Sequence, residues 1–197
     1  MSYELTFKRL KNKEDIKMNR SKWCNLNNPK YIEYHDNEWC KVNFDDKYLY
    51  EMLILESFQA GLSWECVLKK RESFRKAYDN FEIDKVCNYN EEKINELLNN
   101  KDIIRNKLKI KASINNSKIF KSIVNEYDTF HNYLKSFTQD RTIYEIGNTT
   151  NCLSDNISND LKKRGMKFVG STIIYSYLQA IGVVNSHDKD CYLYSVK

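Results

Sequence analysis

Proline and glycine are scarce in this chain, with one proline and five glycines among 197 residues. That excludes the Pro/Gly-rich linkers that separate domains, and no segment repeats at a fixed period, so arrays are excluded as well. Histidine is scarcer still, at three, so a histidine-bearing metal site must draw on His35, His131 or His187. No apolar run approaches the roughly 18 residues that a membrane span needs. The N-terminal MSYELTFKRLKNKEDIKMNR has no apolar segment of the kind a secretory signal carries. A cytoplasmic protein with no membrane partner is expected, in which the six cysteines build no disulfide framework. Cys66 and Cys87 fall in helical patterns and are expected as small core residues.

What is present is enough for a core. Hydrophobic residues make up 41% and aromatics 13%, and the length suits one domain or two small lobes sharing a core. The net charge of +5 permits a polyanionic partner without demanding one. Basic residues gather in three places: Lys69, Lys70, Arg71, Arg75 and Lys76; Arg105, Lys107, Lys109 and Lys111; Lys162, Lys163, Arg164 and Lys167. For any one such cluster a solvated helix face is the commoner explanation.

From Asp45 onward the apolar spacing is helical almost throughout, and sustained strand alternation is hard to find, so the fold expected is all-α. Asp45 or Asp46 starts a first helix. Further helices are expected over about 64–78, 90–99, 103–127, from Ser154 to Gly165, and from Gly170 or Ser171 to about Ile181 with Gly182 as its end. Residues 1–20 are charged and weakly patterned and read as an N-terminal extension, leaving 21–197 as a single domain.

The first helix raises a specific question. In EMLILESFQAGLSW, residues 51–64, Glu56 continues the stripe of Leu49, Met52 and Leu53. A carboxylate is rarely buried unless something pairs with it. Near the other end, LKKRGMKFVGSTIIYSYLQAIG, residues 161–182, reads as helix, glycine turn, helix, within about 155–182. It resembles the helix-hairpin-helix element of DNA repair enzymes. Glycines let the backbone approach a phosphate, and a helix start offers free N–H groups there. An ordinary helical hairpin with a glycine turn is the plain alternative. Cys24 with His35, and His187 with Cys191, are two candidate ligand pairs from opposite ends of the chain. Together they would make a closed tetrahedral zinc site with no open position for a substrate, which excludes a metallohydrolase.

YHDNEW (34–39), LESFQAGLSWECVLKKRESFRKAYDNF (55–81), IIRNKLKI (103–110) and LKKRGMKFVGSTIIYSYLQAIGVVNSH (161–187) resemble the DNA-3-methyladenine glycosylase I family. The resemblance runs from about Trp23 to Cys191. It implies a helix-hairpin-helix DNA glycosylase fold with one structural zinc on Cys24, His35, His187 and Cys191, joining the N- and C-terminal segments. It implies a monomeric hydrolase without lyase activity that flips N3-methyladenine out of alkylated double-stranded DNA and releases the free base. Glu56 and Tyr34 are then the catalytic candidates, and Trp64 and Tyr31 join them against the base. Gly61 and Leu62 fill the gap left in the duplex, while Gly165, Lys167, Gly170 and Ser171 hold its backbone. Four departures stand out. Cys24 lies five residues before Pro29, where the family's first cysteine usually lies seven before it, so a two-residue deletion is implied. Cys40 replaces the family's usual glycine, and Leu26 stands where an aromatic is usual, leaving one wall of the pocket to Trp23 or to nothing. Asn185 stands where related glycosylases carry an acidic residue near the sugar. The competing expectation is a non-catalytic, zinc-stabilised DNA-binding module.

Overall fold

Residues 18–195 are described by the computed structural model; the extension expected over residues 1–20 lies almost wholly outside them. Helix α1, Pro29–Asn37, begins with proline in its first turn, where the missing N–H is harmless. Helix α2, Asp46–Gln59, starts at Asp45, whose carboxylate accepts the Tyr48 N–H at 2.9 Å. The Asp46 carboxylate reaches across the fold instead and accepts the Phe130 and His131 N–H groups at the start of helix α7, Phe130–Thr138. Every residue of α2 from Leu49 to Phe58 is buried. The apolar stripe expected from its sequence is thus one part of a helix enclosed on all sides, a central rod rather than a surface helix.

Around it stand α3 (Trp64–Ala77), α4 (Ile83–Cys87), α5 (Glu91–Asn99) and the long α6 (Lys107–Tyr127). Ser63, Asn90 and Asn106 each accept a first-turn N–H at the starts of α3, α5 and α6. Helix α6 packs on α2, α4, α5 and α7, and α3 packs on α2 and α1. Helix α8, Cys152–Lys163, begins before the expected Ser154: Asn151 is the cap, and the Ser154 hydroxyl returns to the Asn151 N–H in a capping box. Helix α9, Ser171–Ala180, packs on α8 and α2.

Both helices of this hairpin end in the same way. After α8 the Gly165 N–H reaches Lys162 O and the Met166 N–H reaches Leu161 O. After α9 the Gly182 N–H reaches Gln179 O and the Val183 N–H reaches Leu178 O. These are paired Schellman bonds, with each glycine at positive φ. One feature departs from all-α: Ile143–Tyr144 (β1) pairs in parallel with Val184–Asn185 (β2). Cys66 and Cys87 are only half-buried, against expectation, whereas Cys24, Cys40 and Cys191 are buried.

Candidate active site

A cavity of about 280 Å³ opens beside the C-terminal half of α2. Its walls are Trp23, Tyr31, Tyr34, Trp39, Glu56, Gln59, Trp64, Ser176 and Gln179. Aromatic rings dominate and brace one another. Trp23 stands edge-on to Tyr31 at 5.2 Å and to Trp39 at 4.6 Å, and Tyr34 lies 5.3 Å from Trp64. A cavity of roughly 150 Å³ already holds a benzene ring, so this one has room for a planar bicycle. Trp23 fills the wall that Leu26 leaves open, since Leu26 is 62% exposed.

Glu56 and Glu51 are both buried on α2, but their surroundings differ. Glu51 accepts from Arg71 at 2.6 Å and from Arg75 at 2.8 Å. Glu56 Oε2 has no hydrogen-bond partner among the described residues. Burial therefore pushes the Glu56 carboxyl well above the usual carboxylate range. Beside it, burial and then the Glu56 charge push the Tyr34 phenol upward too. The Trp23 and Trp64 indole N–H groups and Gln59 Oε1 are likewise buried without partners. Unsatisfied polar atoms in this number around one apolar cavity mark a place for a polar, planar guest.

Sequence reasoning found Tyr31, Tyr34, Glu56 and Trp64, and all four meet here. Trp39 and Gln59 were missed although both lie in the motifs YHDNEW and LESFQAGLSW. Ser176 and Gln179 were missed on α9, where they are polar positions three apart in the mainly apolar stretch after Thr172.

Next to the cavity, α2 ends and the chain turns through Ala60, Gly61 and Leu62. Gly61 has φ +76°, and Leu62 is 42% exposed. The first basic cluster is not an open patch: Arg71 is buried between Glu51 and Glu38, Arg75 also holds Glu72, and Lys69 holds Glu65. The hairpin is more open. Lys162, Lys163 and Lys167 are exposed, while Arg164 is paired with Asp160 and Glu126. The Ser171 hydroxyl is committed to Asp155 and Ser154, so Ser171 offers its backbone N–H, at the start of α9, rather than its hydroxyl.

Three of the four expected metal ligands converge. The ligand atoms of His35, His187 and Cys191 lie within 4.8 Å of one another, all buried. Cys191 Sγ is 3.6 Å from His35 Nε2. Tetrahedral zinc, with Zn–S near 2.3 Å and Zn–N near 2.0–2.1 Å, sets sulfur and nitrogen roughly 3.5 Å apart. Each imidazole is also aimed. Asp36 accepts from His35 Nδ1 at 2.8 Å, and Asn185 Oδ1 accepts from His187 Nδ1 at 2.9 Å. Both hydrogen bonds leave Nε2 as the unprotonated nitrogen: His35 Nε2 accepts the Ser21 N–H at 3.2 Å, and His187 Nε2 is buried with no partner among the described residues. Burial lowers both histidines, His187 to about 4 with the neighbouring His35 contributing, so both are neutral and able to ligate. Cys24 is buried but stands outside the cluster, its thiol 3.8 Å from Tyr31 O. Asn185, expected near the sugar, turns instead to His187 and does not line the cavity.

An aromatic base pocket with a buried carboxylate, flanked by an exposed leucine loop and a glycine-turn hairpin, defines a helix-hairpin-helix DNA glycosylase. The methyladenine glycosylase family model matches residues 23–194. The chain is 43% identical over 184 residues to DNA-3-methyladenine glycosylase 1 of Escherichia coli (strain K12), covering 90% of this chain and 97% of that one. It is 36% identical to the DNA-3-methyladenine glycosylase of Haemophilus influenzae, over 82% of this chain and 90% of that one. Among solved structures it is similar to 3-methyladenine DNA glycosylase I from Staphylococcus aureus, with TM-score 0.84, 31% identity and coverage of 89% and 96%. A variant of 3-methyladenine DNA glycosylase I in complex with 3-methyladenine matches with the same TM-score of 0.84, covering 89% and 97%. The chain belongs to the methyladenine glycosylase family.

Proposed function

We infer that this chain is a DNA-3-methyladenine glycosylase, hydrolysing the N-glycosyl bond of N3-methyladenine in alkylated duplex DNA as the first step of base excision repair. Glu56 carries the inference. A buried carboxylate without a partner, inside an aromatic cavity, becomes favourable when a cation enters. N3-methyladenine in DNA is a planar cation, so it draws Glu56 back to its charged form and gains cation–π attraction from the Trp64 face, worth about 0.5–2 kcal/mol. Normal adenine is neutral and gains less.

A base inside a duplex is out of reach, so the nucleotide must swing out. Leu62, with Gly61 letting the loop come close, enters the gap. The backbone around Gly165, Lys167, Gly170 and Ser171 holds the phosphates without reading sequence. Tyr31, Trp23 and Trp39 wall the base, and Tyr34 and Glu56 meet its polar edge. Water adds to C1′, the bond from C1′ to the base breaks with its electron pair going to the base, and the water releases a proton. The base leaves neutral, so no strong acid is required, and no lysine nucleophile or strand cleavage is involved. His35, His187 and Cys191, with Cys24 as the fourth ligand, would hold a zinc whose contribution is to tie the chain ends together. The protein acts as a cytoplasmic monomer.

A non-catalytic DNA-binding module would share the hairpin and the metal, but it gains nothing from Glu56 beside polyanionic DNA. Incubating purified protein with alkylated DNA and chromatographing the released bases separates the two. Free 3-methyladenine with intact strands is expected; binding to the DNA without base release would sink the enzyme reading.

A further inference from the structure

Lys109 carries a buried charge that the steps above do not use. It is 7% exposed, and no carboxylate pairs with it among the described residues. Its Nζ donates to Phe58 O at 2.8 Å and to Ala60 O at 2.5 Å, and it stands 5.9 Å from the centre of the Phe168 ring. Phe58 and Ala60 lie at the C-terminal end of α2, the helix of Glu56, where carbonyls lack intrahelical partners and the dipole is negative. Ala60 opens the Leu62 loop. Phe168, at φ +56°, lies in the turn of the hairpin. One ammonium group therefore hydrogen-bonds to the start of the loop that enters the duplex and stands over an aromatic ring in the turn that holds its phosphates.

Further along the same helix, Asn116 grips the hairpin backbone in both directions. Its Nδ2 donates to Lys167 O at 2.8 Å, and its Oδ1 accepts the Lys167 N–H at 2.9 Å. Asn115 adds a bond to Gly165 O at 3.0 Å. Positions 109 and 116 share a helix face and lie about 10 Å apart along the axis.

We propose that α6 is a ruler between hairpin and pocket, with Lys109 as the positioning residue that fixes the Leu62 loop at its end. Resting on the glycosylase reading, this sets where the duplex opens relative to the phosphates that are held, so that the vacated base position falls at Leu62 and the flipped base at Glu56. Lys109 reaches neither base nor sugar in this arrangement; it acts through Ala60. A misplacement of about 1 Å at a reacting centre costs on the order of a hundredfold in rate, so a loosened loop registers in the chemical step.

The test compares the unaltered protein with Lys109→Met and Lys109→Arg by three measurements. These are binding of free 3-methyladenine followed by tryptophan fluorescence, binding of an undamaged duplex, and single-turnover base release at saturating alkylated DNA, scaled to the molecules that bind free base. Lys109→Met should leave both affinities within about twofold and slow base release at least about tenfold, with Lys109→Arg recovering part of the rate. If Lys109→Met does not fold, Lys109→Gln is read by the same criteria. A lowered melting temperature with an unchanged scaled rate makes Lys109 a structural cap only and overturns the proposal. So does a loss of free-base binding in proportion to rate, which would mean that the pocket itself has deformed. If the unaltered protein releases no base, the glycosylase reading fails first and this proposal with it.

Discussion

Glu51 and Glu56 sit on one helix, both buried, and only the first has arginines against it. That difference separates an ion-pair network from a site held ready for a charged guest. Because burial raises the folded Glu56 pKa above its unfolded value, folding is not penalised below the unfolded value near 4.5. Stability is then lost as pH rises toward and through the folded pKa. Glu56→Gln should therefore raise the melting temperature at pH 8, change it little at pH 4, and slow base release at least about tenfold. The unaltered protein's base release should fall as pH drops through the raised pKa, a limb that Glu56→Gln lacks. A variant less stable at pH 8 that releases base normally would make Glu56 a structural residue. Asn185 is the opposite lesson. Its place in VVNSH pointed to the sugar, while the folded chain turns it onto His187. Losing such a support costs about 10–100-fold in metal affinity, so Asn185→Ala should release zinc faster to a chelator while its zinc-loaded molecules excise normally. Slowed excision with zinc retained would return Asn185 to the sugar. Glu56 was legible because one carboxylate broke an apolar spacing; the partner of Asn185 was not, because side-chain direction at a loop is set by tertiary contacts.

At the scale of elements, the sequence was most readable where a local signal ends a helix. Gly165 and Gly182 marked the ends of α8 and α9 and occupy matching Schellman positions. The short helices α1 and α7 were not foreseen: nine residues each give little periodicity, and α7 takes two of its first N–H bonds from Asp46, far away in sequence. The two-residue β1–β2 pairing is likewise a product of the closed fold. The two glycines differ in what surrounds them. A Cβ at Gly165 meets only the tip of the Ile119 side chain at 3.6 Å, but at Gly182 it would lie 2.3 Å from the Lys41 carbonyl carbon and the Val42 nitrogen. Both substitutions incur the positive-φ penalty of about 1 kcal/mol or more; only the second must also push backbone aside. Gly182→Ala should thus lower unfolding free energy by clearly more than Gly165→Ala in denaturant titrations. Equal effects would mean that the Lys41 segment yields without resistance.

At the scale of the whole molecule, His35 and the pair His187 and Cys191 come from opposite ends of the described chain, and their cluster backs directly onto the base pocket. Trp39 lies 4.8 Å from the His187 ring and 5.9 Å from that of His35, and Trp23 lies 5.5 Å from His35. The same indoles wall the cavity. A zinc held by these imidazoles would therefore also fix two walls, whereas the hairpin would have no part in it. A ligand that binds only the folded state stabilises it by mass action, so the unaltered protein should contain one zinc per chain and lose melting temperature when a chelator removes it. Cys191→Ala should start near that lower value and shift little further with chelator. Tryptophan fluorescence should change on zinc removal, and affinity for free 3-methyladenine should fall several-fold, while binding to undamaged duplex, which we assign to the hairpin, should hold. A chelator-treated protein that has lost its zinc yet melts and binds free base as before would show that the closeness of His35, His187 and Cys191 is packing alone. A loss of base binding and duplex binding together would mean that removing the metal unfolds the molecule rather than loosening the wall behind its pocket.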